Sequence, residues 1–284
     1  MPLLEKAFAK LDQNYDRIVG GWGKEGLRTL TGMPVMNFWN DQYQPEYLIP
    51  IYKTFASKNY PMTAGCCTGG SVYGLVAGHA YTFLDIQELK DSTGTVQHTI
   101  AKLRNPWAKE LYTGPWKDTD PNWTDDWKKQ VKLAEANDGA FWMPFDIFIK
   151  KYYNLGVSLY QPYKYHLKQL FASERQYRFE INNPVKQYLY ITAETFSYRH
   201  YPRGKCNPNN NVVLYFKNSE NQSVDKQKYE WVSHEGFGTM GRWAEELPKG
   251  IYTFTVVNQG YKTKAADLSL HFYATSQVPK INDL

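Results

Sequence analysis

Cysteine is scarce in this chain, with three residues in 284, two of them adjacent as Cys66 and Cys67. Three thiols cannot build a disulfide framework, which fits a reducing compartment. Long apolar runs are missing as well. No stretch approaches the roughly 18 residues that a membrane span needs. The opening Met1-Pro2-Leu3-Leu4-Glu5-Lys6 has no basic region followed by an apolar one, so a cytoplasmic protein without a leader is expected. Charge of one sign is not concentrated either: 33 Lys and Arg stand against 28 Asp and Glu, a formal net charge of +5. The lysines are scattered, as at Lys128, Lys129, Lys150, Lys151, Lys164 and Lys168. Nucleic-acid binding would call for a concentrated basic face or a recognisable module, and neither is present. No EF-hand pattern occurs. Gly65 to Gly70 and Gly236-Phe237-Gly238 lack the Lys and the strand-to-helix context of a phosphate cradle. His98, His166, His200, His234 and His271 show no ligand spacing with one another or with cysteine, so no zinc site is expected.

What the chain has in quantity is aromatic side chains, 16% of the sequence with 23 Tyr and 9 Trp, within 42% hydrophobic residues and 21% charged ones. This is the composition of a folded protein. The length suggests about two domains of ordinary size. The runs Tyr152-Tyr153 and Tyr160 to Tyr165 read as core and interface packing.

Residues 3 to 18 place Leu3, Leu4, Ala7, Phe8, Leu11, Tyr15 and Ile18 at three- and four-residue steps before Gly20-Gly21, which predicts an amphipathic helix. A second helix is expected from Pro45 to about Ser57 through Leu48, Ile51, Tyr52 and Phe55. Residues 63 to 67, 75 to 86 and 96 to 103 read as strands, the last two joined by Asp91-Ser92-Thr93-Gly94 as in a hairpin. Residues 123 to 136 and 145 to 153 read as helical, with 141 to 143 extended between them. These mixed elements suggest an α+β domain with an antiparallel sheet. Beyond about Gln169 the pattern changes to short alternating runs at 175–182, 187–196, 211–217, 228–233, 250–257 and 267–274, punctuated by Asn-Pro, Pro-Arg-Gly and Leu-Pro-Lys-Gly turns. Such spacing fits an all-β sandwich.

Four segments carry the functional signal. Gly78-His79-Ala80-Tyr81, Leu103-Arg104-Asn105-Pro106-Trp107, Thr113-Gly114-Pro115-Trp116-Lys117-Asp118 and Asp138-Gly139-Ala140-Phe141-Trp142-Met143 resemble, in order and approximate spacing, the second protease subdomain of the calpain-type cysteine proteases. Leu3-Leu4-Glu5-Lys6-Ala7-Phe8-Ala9-Lys10 resembles the helix where that subdomain takes over from the first. Leu247-Pro248-Lys249-Gly250-Ile251-Tyr252 resembles the closing hairpin of the calpain β-sandwich. The resemblance implies a papain-like α+β half-domain over residues 1–168 and a β-sandwich over 169–284. It makes His79 the general base, Asn105 the residue that orients its ring, and Trp107 a shield over their hydrogen bond. A Cys/His/Asn site works because His takes the thiol proton while the Asn oxygen fixes the imidazole tautomer, so the last two residues alone attack nothing.

Two departures from the family pattern matter. The Gln-Gly-x-x-Gly-Asp-Cys-Trp type of motif that carries the nucleophile and the oxyanion-hole Gln does not occur. Cys66 and Cys67 precede Thr68-Gly69-Gly70, where the family also has a strand cysteine, and read as structural; Cys206 lies in a Pro- and Asn-rich loop and is no better placed. The resemblance also implies a calcium site built from acidic side chains. Asp118 and Asp138 match it, whereas Leu111 and Ala140 replace two expected Glu, so at most weak calcium is expected and no cofactor is required. The expected function is a calpain-like cysteine endopeptidase fragment that is inactive alone, its Cys subdomain lost or supplied in trans. The alternative is a catalytically dead binding or scaffold subunit of a larger assembly. Both call for a protein partner.

Overall fold

The computed structural model of the protein describes residues 2–67, 72–170, 176–195, 212–218, 229–234, 238–243, 246–258 and 268–284. Two compact units divide the chain: Trp22–Tyr160, and Met1–Gly21 together with Gln161–Leu284. The change of texture read at 168–169 falls inside a strand of the second of these.

The unit of residues 22–160 is built on one six-stranded sheet. Its strands are β1 (Val35–Trp39), β2 (Met62–Cys66), β3 (His79–Lys90), β4 (Val96–Arg104), β5 (Ala140–Pro144) and β6 (Tyr152–Ser158), in the order β1-β6-β2-β3-β4-β5. Every neighbouring pair is antiparallel. Helix α2 (Gly23–Thr31) packs on β6, β1 and β2, and α3 (Pro45–Ser57) crosses β3. Helix α3 forms where its apolar spacing predicts, with Pro45 in the first turn and Leu48, Tyr52 and Phe55 buried. The first turn tolerates Pro because the missing N–H has no intrahelical partner there. Tyr52 meets Phe38, Phe83, Phe145 and Phe148 edge-on. Its hydroxyl donates to Asn40 Oδ1 at 2.9 Å, and Asn40 Nδ2 donates to the Tyr152 carbonyl at 2.7 Å. A buried aromatic core is thereby tied to the backbone of β6, with these polar groups satisfied.

Several elements differ from expectation for local reasons. The first helix, α1 (Pro2–Leu11), stops well short of residue 18, because Gln13 takes a left-handed φ of 80°; a short 3-10 turn follows at Tyr15–Arg17. The strand expected from residue 75 starts at His79, since Tyr73, Gly74 and Gly78 all have positive φ and hold the preceding segment in turns. Helix α4 covers only Asp125–Val131, capped by Thr124 Oγ1, which accepts from Trp127 N, and ended by Lys132 in the left-handed region. Helix α5 runs from Phe145 to Lys151 and gives way to β6 at Tyr152. Helix α2 and strands β1 and β6 were not anticipated.

The other unit contains two antiparallel sheets. One has the order β10-β13-β8-β15 and the other β11-β12-β9-β14-β7. Here β7 is Lys164–Leu170, β8 Gln176–Asn183, β9 Leu189–Thr195, β10 Val212–Asn218, β11 Tyr229–His234, β12 Gly238–Trp243, β13 Gly250–Asn258, β14 Leu268–Ala274 and β15 Lys280–Asp283. Phe179, Ile181, Phe254 and Val256 from the first sheet share one apolar core with Ile191, Ala193, Leu270 and Phe272 from the second. Gln187 and Asn183 are buried and close one end. Gln187 pairs with Leu247 through both backbone bonds, and Asn183 Nδ2 donates to the carbonyls of Val185, Leu247 and Pro248. The Leu247 to Tyr252 segment is thus anchored by buried amides, and the Tyr252 hydroxyl adds a bond to Pro248 O at 3.0 Å.

Candidate active site

His79 is the first residue of β3, and Asn105 follows the last residue of β4. These strands pair antiparallel from Thr82 opposite Arg104 to Lys90 opposite Val96. The hairpin turn closes through Asp91, whose Oδ1 accepts from the Thr93 and Thr95 amides. Because the two ends of a hairpin meet, a separation of 26 residues becomes one of a few ångströms. His79 Nε2 lies 3.1 Å from Asn105 Oδ1.

The same oxygen accepts from the Trp107 amide at 3.1 Å. A backbone N–H can only donate, so this second bond identifies the Asn105 atom as the oxygen and requires His79 Nε2 to carry the proton. The Nδ1 lone pair is left as the basic site of the ring. Trp107 lies against the imidazole with ring centroids 4.4 Å apart and an interplanar angle of 37°. Tyr81 contacts it edge-on at 4.9 Å. Asn105 is only 1% exposed, and among the described residues its Nδ2 has no hydrogen-bond partner. The His79 to Asn105 bond itself is part-buried, and partial shielding from water strengthens a hydrogen bond.

Backbone geometry holds the Asn105 loop. Its amide donates to Gly139 O at 2.8 Å, and its carbonyl accepts from Ala108 N at 3.0 Å. Gly139 has φ of +88°, and a Cβ there would stand 2.7 Å from Asn105 O. Gly74 plays the matching part on the other side, where a Cβ would overlap the Leu111 carbonyl oxygen. The sequence marks Asp138-Gly139 as a turn within the Asp138 to Met143 segment and leaves Gly74 unassigned.

Neither cysteine of the pair is presented as a nucleophile. Cys66 closes β2 opposite His79 in the register, yet it is fully buried. The two sulfur atoms contact each other. Neither sulfur hydrogen-bonds to the imidazole; the polar neighbour of Cys67 Sγ is Val76 O at 3.9 Å. Cys206 lies outside the described residues.

The acidic residues expected near calcium each accept a backbone amide. Asp118 Oδ2 accepts from Ala136 N at 3.3 Å, and Asp138 Oδ1 from Ala140 N at 2.8 Å. Glu110, which sequence reading missed, offers Oε1 to Asp118 N at 3.4 Å. Burial first, then the negative charges of Asp118 and Asp138, raises the Glu110 carboxyl above its ordinary range. Asp118 is raised too, chiefly by burial and also by Asp138. These carboxylates feel one another's charge without converging as ligands do. Among the described residues no three His, Cys, Asp or Glu side chains group as a metal site.

Comparison with known proteins identifies the family of the chain. Residues 1–158 match the family model described as calpain family cysteine protease. Calpain-8 of Rattus norvegicus is 34% identical over 169 residues, 56% of this chain and 24% of that protein. The calpain-type cysteine protease DEK1 of Arabidopsis thaliana is 27% identical over 213 residues, 70% of this chain and 9% of that protein. The calpain-2 catalytic subunit of Gallus gallus is 32% identical over 164 residues, 55% of this chain and 23% of that protein. The chain therefore spans about a quarter or less of the curated relatives it matches. With more than half of its length matched by the family model, this chain belongs to the calpain family of cysteine proteases.

Proposed function

We propose that the chain carries the His/Asn half of a calpain-type cysteine endopeptidase site, inactive by itself and completed by a Cys-bearing subdomain. The observation that supports this reading is the His79 Nε2 to Asn105 Oδ1 bond of 3.1 Å with Trp107 against the ring. In the completed site, His79 Nδ1 would take the proton of the incoming thiol. The thiolate would attack the peptide carbonyl of an extended protein substrate, and the imidazolium would return its proton to the leaving amine. Asn105 would keep Nδ1 aimed at the sulfur throughout. In this reading the C-terminal two-sheet unit is a β-sandwich of the calpain type, and calcium binding is weak. Alternatively, the chain is a protease-derived scaffold subunit whose assembly partner would cover the open apolar surface at Trp107.

The 284-residue chain is expected to leave a casein-type substrate intact in millimolar calcium, because loss of a nucleophile removes several orders of magnitude of rate. Adding a Cys-bearing calpain subdomain is expected to restore cleavage, and His79→Ala or Asn105→Ala to remove it again. Turnover by the chain alone that Cys66→Ala or Cys67→Ala abolishes would overturn the assignment. Failure of the added subdomain to restore any cleavage would favour the scaffold reading.

A further inference from the structure

We propose that Tyr81 is a positioning residue for His79: its hydroxyl fastens the segment that delivers the histidine, and its ring restricts the imidazole. This rests on the reading of His79 and Asn105 as half of an active site. Val76 lies in the turns leading into β3, where its amide has no backbone acceptor among the described residues. It donates instead to the Tyr81 hydroxyl oxygen at 3.1 Å. Between Val76 and His79 stand Ala77 and Gly78, the latter with φ of +67°. Glycine in that conformation gives the backbone freedom to swing, so the fixed point closest to His79 on its N-terminal side is Val76.

Tyr81 is itself well held. It is 3% exposed and packs edge-on against Tyr152 and Phe141, with centroids 5.4 and 6.1 Å away. Lying two residues beyond His79 on the same strand, it shares that residue's face of the sheet. Its ring meets the imidazole at 79°, whereas Trp107 meets it at 37°. Two rings at such different inclinations leave the histidine few rotations that keep both contacts. Burial raises the pKa of the Tyr81 hydroxyl, so the acceptor is the neutral phenol.

Tyr152 supplies an internal control. It belongs to the same aromatic cluster and is also buried, but among the described residues its hydroxyl has no hydrogen-bond partner. Tyr81→Phe removes one acceptor from Val76; Tyr152→Phe removes a hydroxyl that holds nothing.

The test uses the full chain labelled with ¹⁵N-histidine, with His79 assigned by loss of its signals in His79→Gln. Long-range ¹H–¹⁵N spectra report the tautomer, and hydrogen exchange reports the Val76 amide. In the wild type the Nε2–H form is expected to predominate. Tyr81→Phe is expected to reduce that preference about fivefold, the equivalent of one hydrogen bond, and to make Val76 exchange about tenfold faster. Tyr152→Phe should leave both unchanged. If Tyr81→Phe gives the His79 signature of the wild type, Tyr81 does not position the ring and the His/Asn reading stands without it. If the wild type shows no Nε2–H preference, the His/Asn reading fails and the role of Tyr81 falls with it.

Discussion

Gly139 is the tightest point of the backbone around Asn105. With φ of +88° and a virtual Cβ 2.7 Å from Asn105 O and 3.0 Å from Ala108 Cα, any side chain must displace the loop that presents Asn105. Gly139→Ala is expected to lower stability by about 2 kcal/mol, the scale of a non-glycine residue forced into a left-handed conformation. It should also loosen the His79 to Asn105 bond. Urea denaturation and the His79 ¹⁵N signals measure the two effects, and a variant unchanged in both would show that the loop adapts freely. The expectation of weak calcium binding rests on two nearby residues. Leu111 and Ala140 bring no carboxylate, and Glu110, Asp118 and Asp138 already accept backbone amides. Calcium affinity follows ligand charge and number, so calorimetry at neutral pH is expected to give a dissociation constant weaker than about 10⁻⁵ M. Tighter binding would mean that these carboxylates rearrange around the ion.

Among the elements, β6 shows how one side chain stands in for a strand ladder. The pairing of β2 with β6 shifts register between Gly65 and Cys66. There Asn154 Oδ1 accepts from Gly65 N at 3.2 Å while its Nδ2 donates to Asn37 Oδ1 on β1. Asn154→Leu should cost about 2 to 6 kcal/mol, since two polar groups lose their partners at about 1 to 3 kcal/mol each. A midpoint shift near zero would show that water replaces the amide. Such pinning explains what the sequence made legible. Helix α3 declares itself through Leu48, Tyr52 and Phe55 at three- and four-residue steps. The β3–β4 hairpin shows in its flanking apolar runs and the Asp91 to Gly94 turn. His79 and Asn105 were found through motif order, whereas their proximity followed from the hairpin. Helix α2, Gly-Lys-Glu-Gly-Leu-Arg-Thr-Leu-Thr, has only Leu27 and Leu30 as large apolar residues and two glycines, too short an apolar pattern to mark a helix. Strands β1 and β6 each carry an Asn at a buried position, which breaks the apolar alternation that marks a strand. The roles of Tyr81, Glu110 and Gly74 depend on loops that meet only in three dimensions.

At the scale of the whole molecule, the family match ends at residue 158, close to Tyr160 where the first compact unit ends. Within that unit apolar side chains stand exposed on the loops that build the candidate site. Trp107 is 55% exposed, Tyr73 41% and Leu111 38%. The loops are joined: Tyr73 O accepts from Thr113 N at 2.9 Å, and Gly74 packs on the Leu111 carbonyl. Trp107 precedes Leu111 by four residues on the same stretch. Clustered apolar exposure on one face usually marks an interaction surface. A Cys-bearing subdomain facing His79 would cover such a surface, and so would an assembly partner of a scaffold subunit. The isolated chain is therefore expected either to associate, as seen by light scattering, or to bind an apolar dye. Trp107→Ser should weaken either signal while moving the unfolding midpoint little, as surface substitutions generally change stability by only about 0.5 kcal/mol. A strictly monomeric chain that binds no dye would have no open apolar face for a partner, and the reading of the site as one half of a two-part assembly would fail.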